Sequence, residues 1–140
     1  EFLKYGAVRL SVLKKRVVDE PIDIPLYMIV GALGFAALEN TLILAGFSSY
    51  SPFLSLASLS VFRFVGAVFL HALVAGFLGV SIVMKRPLWG FMGATFLHGL
   101  FNLYIIQGTE IWRYAVPMAI ILFLASYVPF AISKLQPIKS

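Results

Sequence analysis

The chain has 140 residues, of which 61% are hydrophobic and 12% charged, with a net charge of +5 and no cysteine. A mean hydropathy of +0.96 leaves too little polar surface to cover a soluble globule, which makes this an integral membrane protein. The lack of cysteine excludes disulfides and thiolate metal sites, and the basic residues lie between apolar runs and not in an aromatic-laced patch, which argues against nucleic acid as a partner.

Glu1 to Leu13 is apolar with Lys4 and Arg9 embedded, and ends at Lys14, Lys15 and Arg16. It reads as the lower part of a spanning helix cut off at its start, so the chain is expected to be the C-terminal portion of a longer protein. Lys4 and Arg9 are expected to snorkel or to pair with carboxylates. Pro21 and Pro25, within Asp19-Glu20-Pro21-Ile22-Asp23-Ile24-Pro25, break the pattern in a short aqueous connection. Residues 24–45 are long enough to cross a hydrocarbon core, which takes roughly 20 apolar residues, and their only charge is Glu39. Residues 46–60 form an uncharged, serine-rich linker. Within it Ser51-Pro52 reads as an N-cap and first helical residue, and Ser51, Ser55 and Ser58 share one face, predicting a short interfacial helix.

The second complete span covers residues 61–83, contains His71, and stops at Lys85-Arg86-Pro87. A third covers 88–106 and holds Phe96-Leu97-His98-Gly99-Leu100-Phe101-Asn102, in which His98 and Asn102 share a helical face one turn apart. After a turn at 107–110, residues 112–132 form the last span, with Pro117 and Pro129 as expected kinks and Trp89, Trp112 and Tyr114 near span ends. The expected fold is therefore all-α: a single transmembrane helical domain over residues 1–140, with about five membrane helices and one interfacial helix. Lys14, Lys15, Arg16, Lys85, Arg86, Lys134 and Lys139 fall on one side, with only Arg63 and Arg113 on the other, which places the first side and the C-terminus in the cytoplasm. Small residues four apart, Ala32/Ala36, Ala72/Gly76, Ala75/Gly79 and Gly90/Ala94, allow close helix approach.

Depth brings the polar residues together. At about 1.5 Å per residue from the cytoplasmic ends, Glu1 lies roughly 18 Å up, Glu39 about 22 Å, His71 about 18 Å, His98 about 15 Å and Asn102 about 21 Å. A charge at the centre of a span costs roughly 2.5–3.5 kcal/mol, so a coplanar set from four helices points to a built site. Carboxylates there can take a proton from water, while histidine and asparagine orient the water or donate to an oxyanion. The same Glu1, Glu39, His71 and His98 would also suit a catalytic zinc, although no HExxH stands in the chain. A non-enzymatic membrane protein whose polar layer binds an ion or a partner is the third reading.

The ordered motifs resemble the PrsW family of glutamic-type intramembrane proteases. Glu1-Phe2-Leu3-Lys4 looks like the end of a Glu-Glu-x-x-Lys motif whose first Glu precedes this chain, and Phe35-Ala36-Ala37-Leu38-Glu39-Asn40 is similar to the second motif. Asp19-Glu20-Pro21-x-Asp23-x-x-x-Tyr27, the helix bearing His71, and His98-x-x-x-Asn102 complete the pattern. That family is in turn similar to the CPBP group, including type II CAAX prenyl proteases, where FxxxH usually stands at the place of Phe35-x-x-x-Glu39; Glu39 thus either positions water or supports the histidines. The resemblance implies peptide-bond hydrolysis inside the cell membrane without a cofactor. The Glu pair would act as general base, and His71, His98 and Asn102 would orient water or stabilise the oxyanion. The implied substrates are membrane proteins such as single-pass anti-sigma factors, cut in regulated intramembrane proteolysis. The oligomeric state is not legible.

Overall fold

The structure, a computed structural model, describes residues 1–11, 18–48 and 64–135. These residues are almost wholly helical: α1 (Phe2–Ser11), α2 (Asp23–Ser48), α3 (a π-helical turn, Phe64–Val68, running into Phe69–Val83), α4 (Pro87–Gln107) and α5 (Trp112–Ser133). Four stretches, Asp23–Gly46, Gly66–Val83, Pro87–Gln107 and Trp112–Ser133, are long and apolar enough to cross a membrane. With α1 as a fifth helix, they form the polytopic bundle expected from composition.

Local chemistry sets the helix ends. The Asp23 carboxylate accepts the backbone N–H groups of Asp19 and Glu20 at 2.9 and 2.8 Å, bracing the turn that leads into α2. Pro87 opens α4, where its missing N–H costs nothing. Between α3 and α4 the chain reverses in residues 84–86: Lys85 takes a positive φ of 58°, and the Arg86 N–H donates to the Ser81 carbonyl at 2.8 Å. At the opposite end the Arg113 guanidinium donates to the Gly108 carbonyl at 3.1 Å, tying the α4–α5 turn.

α3 is the hub of the bundle. Leu70, His71, Val74, Ala75, Gly76, Leu78, Gly79, Val80 and Ser81 are all buried on it. α2 runs antiparallel along one side, and a Cβ at Gly79 would lie 2.5 Å from Pro25 Cα, a spacing that only glycine permits. α4 packs along another side, where Gly90 lies directly against the Ser81 side chain. α5 closes the back through Val128 against Gly76, and through the Tyr127 ring, 5.7 Å from that of Phe77. α1 lies on α2, with buried Val8 facing Gly31.

Ala32, Ala36, Ala75, Gly76, Gly79, Gly90 and Ala94 are buried, as their spacing suggests, whereas Ala72 is half-buried. Large apolar side chains such as Val30, Leu42, Leu88, Phe96, Leu122 and Phe130 instead cover the outside of the bundle, a surface that suits lipid and not water. Asp19, Glu20, Lys85, Arg86 and Lys134 lie at the end where α2 and α4 begin, and Gln107, Glu110 and Arg113 at the other.

α2 extends to Ser48, past the Gly46 at which the linker was expected to begin. One glycine and one serine at the end of a 26-residue apolar helix are too weak to stop it. The expected interfacial helix, Arg63 and the basic group Lys14-Lys15-Arg16 lie outside the described residues. α5 is a continuous helix through both Pro117 and Pro129.

Candidate active site

The residues that the depth count gathers are brought together by four different helices. Glu1, at the start of α1, places Oε1 2.8 Å from Nδ1 of His98 on α4. The same oxygen lies 2.5 Å from Nζ of Lys4, one turn along α1, in an ion pair whose two side chains are 4% and 1% exposed. Glu39, in the middle of α2, places Oε2 2.9 Å from Nε2 of His71 on α3. The two imidazole rings then face each other edge to face, with centroids 4.8 Å apart. The result is a continuous polar chain from Lys4 through Glu1, His98 and His71 to Glu39.

An aromatic ring flanks this chain. The Phe35 ring lies 6.2 Å from that of His71 and 5.4 Å from the Lys4 ammonium, so one ring neighbours both halves of the cluster. Lys4 and His71 are 2% and 3% exposed as residues, whereas the Glu39 side chain is 38% exposed, which makes Glu39 the open end. The second oxygen of Glu1, Oε2, is buried with no protein partner among the described residues, leaving an acceptor inside the cluster for a water molecule or a substrate N–H.

Four of the five predicted site residues therefore meet. Asn102 lies one turn beyond His98 on α4, but its side chain is exposed and is not bonded to the cluster among the described residues. Asn102 borders the site without bonding to the other four among the described residues. Lys4 joins them through the carboxylate pairing that was one of its two expectations, although it was not counted among the site residues. Its signal was available: an ammonium inside an apolar stretch, three residues after a carboxylate, has few ways to be buried except in an ion pair with it.

The donor types present, two imidazoles and two carboxylates, are those that catalytic zinc takes. As the side chains stand, however, they do not fit the metal. Among the described residues no three His, Asp or Glu groups converge closely enough to hold one ion. Each imidazole is turned onto its own carboxylate, and the Lys4 ammonium occupies Glu1 Oε1.

One family, described as PrsW family intramembrane metalloprotease, matches the chain over residues 1–129. No curated protein and no solved structure matches it.

Proposed function

The chain belongs to the PrsW family of intramembrane proteases, and on that footing we propose that it hydrolyses a peptide bond of a membrane-protein substrate with water activated by the buried carboxylates. The observation that carries this reading is the meeting of two carboxylate–imidazole pairs from four helices, with the rings 4.8 Å apart, inside an apolar bundle. Such a cluster is costly to bury at membrane depth, and its two acids and two bases are the groups a hydrolytic site needs.

The proposed chemistry balances on these residues alone. A carboxylate, Glu1 or Glu39, takes one proton from water as the water oxygen bonds to the carbonyl carbon. The carbonyl oxygen becomes an oxyanion, which accepts a hydrogen bond from the Asn102 amide at the border of the site, while the His71 and His98 rings, each bonded to its carboxylate through one nitrogen, orient the water. When the C–N bond breaks, the carboxylic acid returns the proton to the leaving amine. Glu1 and His71 are buried in an apolar bundle, so these few fixed groups act in a low-dielectric setting.

The proposed substrate is a single-pass membrane protein of the anti-sigma-factor type. The proposed location is the cell membrane with the C-terminus in the cytoplasm, because Lys85, Arg86 and Lys134 share the end where Asp19 and Glu20 also lie, and basic residues favour the cytoplasmic side.

The test is cleavage of a single-pass reporter in liposomes by the full-length protein, with His98→Ala as control at equal folded protein. Cleavage by wild type that drops on the order of 10²-fold or more in the variant supports the reading. Absence of cleavage by wild type across varied reporters overturns it in favour of an ion- or partner-binding membrane protein.

A further inference from the structure

We propose that Lys4 is a positioning residue that acts through Glu1 to hold His98 in the tautomer protonated on Nδ1, so that Nε2 is the nitrogen presented to substrate and water. This rests on the proteolytic reading only for its consequence in catalysis; the tautomer itself is a property of the resting protein.

Three observations carry it. First, Lys4 is 2% exposed, and the polar contact found for its ammonium is Glu1 Oε1 at 2.5 Å, with the Phe35 ring 5.4 Å away as the other stabilising neighbour. An ammonium has three donors and no acceptor, so the oxygen it touches must act as an acceptor. Second, that same oxygen is the one 2.8 Å from His98 Nδ1. With Oε1 already accepting from Lys4, the hydrogen in the second bond belongs to the ring, and Nδ1 is the N–H. A neutral imidazole carries one such hydrogen, which leaves Nε2 with its in-plane lone pair. Third, His98 is only partly buried, and its Nε2 has no bond among the described residues, so this nitrogen is open to an incoming group.

The other histidine is held the opposite way round. His71 meets its carboxylate, Glu39, through Nε2 at 2.9 Å. The two rings, 4.8 Å apart, are thus gripped at different nitrogens by different acids. The Glu1 pair has a buried ammonium behind it. A carboxylate that fixes the tautomer of a working imidazole is a recurrent device, and loss of the correct tautomer is costly even when the geometry survives.

Lys4→Met keeps most of the side-chain length and removes every donor, while Lys4→Arg keeps charge and donors. The readouts are the 15N spectrum of histidine-labelled full-length protein in lipid, with His98 assigned by the signal lost in His98→Gln, and steady-state cleavage of the single-pass reporter. The expected result is Nδ1–H on His98 in wild type and in Lys4→Arg, and a mixed or Nε2–H state in Lys4→Met. With that change kcat should fall on the order of 10²-fold at nearly constant KM, with recovery in Lys4→Arg.

A wild-type His98 protonated on Nε2, or a Lys4→Met protein that keeps Nδ1–H, overturns the inference. So does a loss of cleavage in Lys4→Met that appears in KM alone. If Lys4→Met fails to fold, the wild-type spectrum still decides. Failure of the wild type to cleave any reporter overturns the proteolytic reading, while the spectrum alone still decides whether Lys4 sets the tautomer.

Discussion

Replacing Gly79 by alanine adds one methyl group far from the polar cluster, yet it should damage both stability and cleavage. The new Cβ would stand 2.5 Å from Pro25 Cα and 3.0 Å from Pro25 Cβ and N, where ordinary contact begins at 3.4 Å. Backbone and a proline ring cannot rotate aside, so α2 and α3 must separate locally by about 0.9 Å. Overpacking of this kind costs roughly 1–3 kcal/mol.

The same two helices carry the Glu39–His71 bond of 2.9 Å, about 12 Å farther along α3. A separation of even about half an ångström there takes the bond to the edge of hydrogen-bonding range, and misplacement of about 1 Å can lower catalysis up to 10²-fold. Gly34→Ala on α2 is the matched control, because nothing lies within 4 Å of a Cβ there; its effect should stay within about 0.5 kcal/mol. Unfolding in mixed micelles and reporter cleavage in liposomes measure the two effects. A Gly79→Ala protein as stable and as active as Gly34→Ala would refute the claim that this crossing sets the geometry of the site.

The remaining predictions concern the cluster itself and its orientation. Glu39→Gln and His71→Ala should each lower kcat/KM by about 10²–10⁴-fold, and the double variant should lose little more than the worse single, since both break one unit; fully additive losses would show that the two residues act separately. Cleavage should survive extensive chelation, with bound zinc well below one per chain. Loss on chelation and recovery with zinc would show instead that the four side chains rearrange around an ion. Cysteines placed at Arg86 and Lys134 should label from one side of the membrane and one at Thr109 from the other; labelling of Thr109 and Lys134 from the same side would contradict the antiparallel α4–α5 packing.

Much of this site was legible because a membrane helix has a fixed rise. Counting residues from the basic ends gives depth, and depth alone places Glu1, Glu39, His71, His98 and Asn102 in one layer. The buried small residues were legible for a similar reason, since a four-residue period marks one helical face. Depth says nothing about the rotation of one helix against the next. That is why the pairing of Glu1 with His98 and of Glu39 with His71, and the exposed position of Asn102, appear only in the folded bundle. Lys4 was left between two expectations by its own chemistry: a long cationic side chain in an apolar stretch can snorkel outward as easily as turn inward, and here a carboxylate one turn away draws it in. Arg9, on the same helix, does remain exposed, with its guanidinium 6.0 Å from the Tyr5 ring.

The short reversal at residues 84–86 limits how such a site can admit a substrate. It joins α3 to α4 in three residues, so the helices that carry His71 and His98 are tied at one end. The carboxylates belong to α1 and α2, the other half of the cluster. Each acid–base bond crosses the seam between these two halves. Under the proposed function, a polypeptide entering along that seam would trade places with the bonds Glu1–His98 and Glu39–His71, so that occupancy of the site and release of its acids and imidazoles would be a single event.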